Sequence, residues 1–558
     1  MADEANTATN PESECKETQP EPVINAQTVS EAEKLLGLTF TESERDLMLN
    51  DLNTRLGQLE SLRTQSIPNH IAPALHFDPR PTAPAPQPVP RDYAFTPVEK
   101  VHRPANLEDV AFWTVTQLGE LIRTKQVTSL ELTQMYLARL KRYDPHLKCV
   151  ITLTEDLAIT QAKRADAEIK AGNYRSPLHG IPWGAKDLLA TKNYKTTWGA
   201  MPYKDQTIDM DATVIQRLEE AGAVLVAKLT LGALAYGDIW YGGRTNNPWN
   251  IEEGSSGSSA GPASALAGGL VGFAIGTETL GSIVSPSTQC GVTGLRPTFG
   301  RVSRHGAMAL SWSMDKIGPI CRNVEDCALI FTAIYGADGQ DATLVNTAFT
   351  WSPQQSVKNL RVGYLKSAFE NERRHRPSDT EKSLNSNDTA VLDVLRNKIG
   401  VDLIEVALPD MPVEPMLMIL IAEAAAAFDE ITRNDRDDTL QWQTEEAWPN
   451  TFRTARFISA VDYIQANRLR TVLIQAMAKV MAEVDVFVTP SFGGTSLVVT
   501  NLTGHPVVVM PNGFNEDDLP TSISFVGGLY KEAETLTVAN AYQNATDWHQ
   551  QHPKMQYE

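Results

Sequence analysis

Cysteine is scarce in this 558-residue chain: there are five, odd in number and scattered as Cys15, Cys149, Cys290, Cys321 and Cys327. That excludes a disulfide framework and points to a reducing, cytoplasmic setting. Metal-ligand spacing is missing too. No C-x-x-C or H-E-x-x-H pattern occurs and the ten histidines do not cluster, so neither a metal nor a cofactor is expected. No uninterrupted apolar run reaches about 18 residues, which excludes a membrane-spanning helix on hydropathy. The opening residues, MADEANTATNPESE, carry neither the basic n-region nor the apolar h-region of an export signal. Positive charge is in deficit, with Lys plus Arg at 49 against Asp plus Glu at 68, a net charge of −19. Such a field repels phosphate backbones and anionic lipid, so no directly bound nucleic acid is expected.

What is present is the composition of a globular protein with a sizeable core: 42% hydrophobic residues and 21% charged. Residues 1–30 are polar, acidic and Pro-containing, and are expected to be disordered. An N-terminal extension follows over 31–105. In it Thr41 and Glu44 form a capping-box pair ahead of a helical run, in which Leu47, Leu52, Leu56, Leu59 and Leu62 make a stripe suited to packing on the main body. Such a helix is also compatible with a homodimer interface. The extension ends in the Pro-rich stretch PRPTAPAPQPVPRDYAFTP, an extended surface tether. From residue 106 to 558 the chain alternates. GAVLVAKL, LRVGYL, DLIEVAL, DVFVTPS and PVVVMPNG are short β-branched runs, each near a longer amphipathic stretch. This pattern predicts one large α/β domain, with a mixed, largely parallel sheet covered by helices on both faces.

One segment, 252–300, is unlike the rest: EEGSSGSSAGPASALAGGLVGFAIGTETLGSIVSPSTQCGVTGLRPTFG. Its density of Gly, Ser, Ala and Thr lets backbone approach backbone or a ligand and leaves N–H groups free to converge on one atom. A flexible linker would not need Leu266, Leu270, Val271, Phe273 and Ile275. Gly257-Ser258-Ser259-Ala260-Gly261 fits the G-x-S-x-G nucleophile elbow with Ser259 as nucleophile. That motif needs a strand before it and a later Asp/Glu–His pair, and the preceding NNPWNIEEGSS is loop chemistry. Ser313 and Lys316 fit S-x-x-K, with no S-D-N or K-T-G after them. A serine–lysine arrangement remains: a serine hydroxyl needs a proton acceptor, and a desolvated lysine serves when its pKa falls. Lys186, in HGIPWGAKDLL, follows an apolar run that would bury it.

At these residues the chain resembles the amidase signature family, over roughly 110 to 558. GSSAGPASALAGG, GTETLGSIVSPS and CGVTGLRPTFGRVS stand in the order of the family's central motifs. GIPWGAKDLL resembles its lysine strand, and DATVIQRLEEAGAVLVAKL, MDKIGPICRNVED, VDVFVTPS and GHPVVVMPNGF resemble flanking segments. The resemblance implies amide C–N hydrolysis, with Lys186 as base, Ser258 as bridging serine after a cis peptide bond, and Ser282 as nucleophile. GSSGSSAG offers four serines for the bridge. The family's spacing to the nucleophile selects Ser258 and makes Ser259 its neighbour. It also implies an oxyanion hole of backbone N–H groups from Thr279, Leu280, Gly281 and Ser282. Asp187 is expected to support local hydrogen bonding.

Three residues depart from the family pattern. Leu280 replaces Gly, Glu278 replaces Asp, and Val284 stands where Arg is common, which removes a cation and argues against an acid-bearing substrate such as free glutamine. The rival within the family is the glutaminase component of the glutamine-dependent tRNA amidotransferase, which releases ammonia to its partner. A rival of another class is a silent scaffold that keeps the fold. The small-molecule amide itself is not named by the sequence. Tyr194, Trp198, Met201, Tyr203, Tyr236, Trp240 and Trp312 are candidates to line its pocket.

Overall fold

A computed structural model describes residues 23–75, 91–98, 101–370 and 379–557. Its centre is an 11-stranded sheet. In chain order the strands are β1 (Val150–Leu153), β2 (Pro182–Lys186), β3 (Val224–Leu229), β4 (Phe273–Glu278), β5 (Thr293–Arg296), β6 (Lys316–Cys321), β7 (Val362–Leu365), β8 (Leu403–Val406), β9 (Val486–Pro490), β10 (Val507–Phe514) and β11 (Pro520–Gly527). Their spatial order is β1-β3-β2-β4-β6-β5-β10-β11-β9-β7-β8, and helices cover both faces. The sheet is mixed, with a smaller parallel share than the sequence suggests. Parallel pairing is confined to β3-β2-β4 and β9-β7-β8. The strands between pair antiparallel, as do β1 and β3. Short connections such as the one from β10 to β11 allow hairpin pairing, which long helical crossovers do not.

The apolar runs behave as central strands should. Every residue of β2, β3 and β4 is buried, which a strand covered on both faces requires. Register then sets the site. Ala185 pairs with Ile275 of β4, and Lys186, at the end of β2, pairs with Leu229 of β3. The lysine therefore emerges at the same sheet end at which β4 delivers Thr277 and Glu278.

In the N-terminal extension the helix Ala26–Leu36 starts inside the segment expected to be disordered, because Asn25 accepts from the Thr28 N–H and caps it. Residues 1–22 lie outside the described residues. The helix Glu42–Arg63 carries the Thr41–Glu44 capping box as expected. Met48, Leu52 and Leu62 are its buried apolar positions, while Leu47 is 36% exposed. The helix is held to the body by Arg55 donating to Thr454 O (2.6 Å) and by the ion pair Glu44–Arg453 (2.6 Å). Of the Pro-rich tether, residues 76–90 and 99–100 lie outside the described residues. The stretch leading into it runs along the helix Ala460–Glu483, where Arg468 and Thr471 donate to the carbonyls of Ile67, Pro68, Ile71 and Ala72.

Candidate active site

Lys186 is fully buried. Its Nζ lies 2.9 Å from Ser258 Oγ, 3.1 Å from Ser259 Oγ and 2.9 Å from Thr277 Oγ1, with Thr277 O at 3.4 Å. Burial pushes the amine well below its ordinary value of 10.5, against weaker opposition from the Asp315 and Glu278 carboxylates. A lysine surrounded by hydroxyls and a carbonyl is thus biased to the neutral form, which can accept a proton.

The two neighbouring serines differ in what else they do. Ser259 Oγ donates to Thr277 O (3.1 Å) and accepts the Thr277 N–H (3.1 Å), so the strand occupies it. Ser258, one residue earlier, follows a cis Gly257-Ser258 peptide and keeps its oxygen on Lys186. Small residues make this convergence possible: a Cβ on Gly276 of β4 would stand 2.7 Å from Ser259 Oγ. After Ser259 the helix Ala260–Ala267 follows, all eight residues buried.

Ser282 lies in the turn between β4 and the helix Val284–Cys290, 8% exposed. Ser259 N–H donates to Ser282 O (3.1 Å), which joins the turn to the serine loop. Among the described residues no side-chain hydrogen bond links Ser258 to Ser282, so one link of a Lys186–Ser258–Ser282 path is made here. Catalytic hydrogen bonds often tighten only around substrate. Gly281 has φ of +81°, which a side chain would strain, while Leu280 stays outside that region and packs against the main core. Among the described residues no protein acceptor takes the N–H groups of Leu280, Gly281 or Ser282. The next two N–H groups, of Ile283 and Val284, donate to Glu278 Oε2 at 2.8 and 3.0 Å.

Glu278 is the anchor of this turn. Its other oxygen accepts from Arg296 (2.6 Å) and Asn501 (2.8 Å). Burial would raise its pKa, but Arg296 and then Lys316 hold it down at about 2. Asp315 fixes the preceding residue: it accepts from Thr279 Oγ1 at 2.6 Å and from the N–H groups of Leu310 and Ser311. Neither Asp315 nor the lysine contacts of Ser259 and Thr277 had a signal in the sequence beyond the density of hydroxyl residues. Asp187 does support local structure. It accepts from Thr197 N and Oγ1 and pairs with Lys228 at 2.7 Å. Ser313 and Lys316 do not meet as a pair: Ser313 Oγ goes to Glu423 and Arg470, and Lys316 Nζ to the carbonyls of Thr279 and Met314. His505, one of the histidines downstream of Ser259, hydrogen-bonds Thr503.

A cavity of about 240 Å3 opens on Thr277 and Thr279, with Leu188, Met308, Leu310 and Trp312 in its wall. It reaches the cluster from the strand side, and Ser258 and Ser282 do not line it. Of the aromatic candidates, Trp312 is the one in this wall. Tyr236 instead stacks on Trp442 and packs at a tilt against Trp448, and Trp198 packs against Tyr203 and edge-on against Phe428.

The fold and the cluster define a class: an α/β protein whose sheet end buries a lysine among serine hydroxyls beside a turn of free backbone donors. Comparison narrows the class. A family model described as Amidase matches residues 131–496. Curated relatives include the A-subunit of glutamyl-tRNA(Gln) amidotransferase from Coxiella burnetii (strain RSA 493 / Nine Mile phase I), 32% identical over 491 residues, covering 79% of this chain and 99% of the relative. The same-named protein of Acinetobacter baumannii (strain AB0057) is 31% identical over 493 residues, covering 79% and 98%. Among solved structures, native peptide amidase from Stenotrophomonas maltophilia has a TM-score of 0.68 at 28% identity, covering 78% of this chain and 97% of its own. The chain belongs to the Amidase family and is an amide-hydrolysing enzyme. Among the described residues no helix is long and apolar enough to cross a membrane.

Proposed function

We propose that residues 106–558 form the catalytic domain and that it cleaves a carboxylic amide C–N bond through an acyl-enzyme on Ser282. The observation that carries this is the fully buried Lys186 Nζ 2.9 Å from Ser258 Oγ, with no ion pair to a carboxylate among the described residues. Ser282 Oγ attacks the carbonyl carbon while its proton passes to Ser258 Oγ, whose own proton passes to Lys186 Nζ. The carbonyl electron pair moves onto oxygen, where the N–H groups of Leu280, Gly281 and Ser282, with Thr279 beside them, receive the negative charge. Losing one such donor typically costs about 100-fold or more. Collapse breaks the C–N bond, and the relay runs backwards to protonate the departing amine. Water then repeats the attack at the ester and restores Ser282.

The turn is built to hold these donors still. Glu278 takes the two N–H groups just beyond it and Asp315 takes the Thr279 hydroxyl, which supports a role for the turn's remaining donors in receiving the developing charge. A stand-alone amidase is favoured over an ammonia-supplying component of a larger enzyme, because Val284 packs in the core and brings no cation to the acyl site. The amidotransferase reading draws on the names of the Coxiella and Acinetobacter relatives. A small-molecule amide, a cytoplasmic setting and a homodimer complete the proposal. Ammonia release from a panel of primary amides, glutamine included, tests it against Ser282→Ala. Release from apolar or aryl amides that vanishes in the variant supports the stand-alone enzyme. Release from glutamine alone supports the amidotransferase. Equal release by variant and wild type contradicts the role of Ser282.

A further inference from the structure

The lysine of the S-x-x-K pattern has no part in the relay, yet it is buried nearly as deeply as the relay's own. Lys316 opens β6 directly opposite Glu278, the last residue of β4, and is 3% exposed. Among the described residues it makes no ion pair, and its Nζ donates to the carbonyls of Met314 and Thr279, the second at 3.4 Å. Burial and the nearby Arg296 push the amine well below its ordinary 10.5, against the pull of Glu278 and Asp315. The neutral amine still has two N–H groups, one for each carbonyl. A buried amine costs free energy that an apolar residue at the start of a buried strand would not. What it touches is therefore informative.

The Thr279 carbonyl belongs to the same peptide unit as the Leu280 N–H, the first of the turn's free donors. In a trans peptide the C=O and N–H point to opposite sides, so whatever holds the oxygen aims the hydrogen. The far end of the turn does this with backbone alone. Gly281 O accepts the Ser285 N–H at 2.7 Å, which fixes the peptide that carries the Ser282 N–H. At Thr279 a side chain takes the place of that backbone donor, and it is Lys316. The Thr279 hydroxyl is held as well, by Asp315 at 2.6 Å, so two consecutive residues grip Thr279 at two atoms. A rotation that swings the Leu280 N–H away has to break both contacts. A hydrogen bond on a carbonyl oxygen also strengthens the N–H at the other end of the same peptide as a donor.

We propose that Lys316 is a positioning residue for the oxyanion turn: its amine holds the Thr279–Leu280 peptide so that the Leu280 N–H meets the carbonyl oxygen as that oxygen gains charge. This rests on the acyl-enzyme reading above and adds a residue to it. Lys316 acts through Thr279 and exchanges no proton with the substrate.

The test sets Lys316→Met and Lys316→Gln beside Ser282→Ala in the full chain, at a temperature where unfolding scans show each variant folded. The substrate is the primary amide of the panel that the wild type hydrolyses fastest. The inhibitor is the boronic acid with the same side chain (phenylboronic acid where that amide is benzamide). Its boron accepts an electron pair from Ser282 Oγ, the serine proton leaves along the relay, and the tetrahedral adduct carries negative charge where the oxyanion forms. Lys316→Met is expected to lower kcat about tenfold or more and to raise the boronic acid Ki by a similar factor, with KM within about twofold. Lys316→Gln keeps an N–H donor and should recover most of both losses. A lysine that merely supports the fold would move KM and Ki together, without separating a planar amide from a tetrahedral anion. An unchanged Ki in Lys316→Met, or a Lys316→Gln no better than Lys316→Met, would overturn the inference while Ser282→Ala remained inactive. A Ser282→Ala chain that hydrolyses the amide at the wild-type rate would instead sink the acyl-enzyme reading, and this inference with it.

Discussion

Two lysines on neighbouring parallel strands are buried to the same depth and differ in their company. Lys186 ends β2, and Lys228 pairs with Ala185, one position earlier in the register, on β3. Lys228 has a carboxylate at 2.7 Å, Asp187, together with Thr196 Oγ1 at 3.1 Å and Lys195 O at 3.2 Å. Lys186 has Ser258, Ser259 and Thr277, and among the described residues it makes no ion pair. A buried charge is tolerated when paired and hydrogen-bonded, and an unpaired one gives up its proton instead. The partner, not the depth, separates Lys228, held in an ion pair, from Lys186, the proposed base.

Substitution should separate the two. Lys186→Met is expected to cut kcat by about a thousandfold, the range of a lost general base, with little change in thermal stability because an unpaired buried amine is removed. Lys228→Met should do the reverse. It strands Asp187 in the core and costs about 3–5 kcal/mol in denaturant unfolding. Equal stability losses in both would erase the distinction. The serine pair sharpens it at the next level. Ser258→Ala should lower kcat about a hundredfold or more, since it breaks the path to Ser282. Ser259→Ala should instead cost about 1–3 kcal/mol of stability, because it frees the Thr277 N–H and carbonyl inside the core. A reversed order would move the bridging role to Ser259.

The smallest effect is on stability against pH. Lys186 has its pKa lowered on folding, so between that lowered value and 10.5 the unfolded chain binds the proton that the folded one refuses. Stability therefore rises with pH across that window, and the slope should weaken in Lys186→Met while persisting in Lys228→Met. Urea midpoints measured across alkaline pH would show it, and identical slopes in wild type and Lys186→Met would contradict it.

Much of this was legible in the chain. GIPWGAK reads as an apolar run that buries its lysine, and it and GAVLVAKL became neighbouring, fully buried strands, whereas the strand Phe273–Glu278 beside them was not read from the sequence. The choice of Ser258 over Ser259 rested on the family's spacing, and the hold of the Thr277 backbone on Ser259, which supports it, needs three dimensions to be seen. The same holds for Asp315 on Thr279 and Glu423 on the Trp312 loop, which meet across separations of 36 and 110 residues or more. The S-x-x-K pattern of Ser313 and Lys316, set aside in the sequence for want of companion motifs, joins residues that share a short motif but not a direction. Antiparallel pairing in the middle of the sheet was hidden because a buried strand reads as the same apolar run in either orientation.

The most direct test of the central claim is the pH dependence of kcat/KM for a hydrolysed primary amide in wild type, Lys186→Met and Lys228→Met. Neutral Lys186 as base predicts an acid limb, with activity falling as the pH drops through one ionisation. That limb should persist in Lys228→Met and disappear from the residual rate of Lys186→Met. A Lys186→Met enzyme that keeps both the wild-type rate and the wild-type limb would contradict the account.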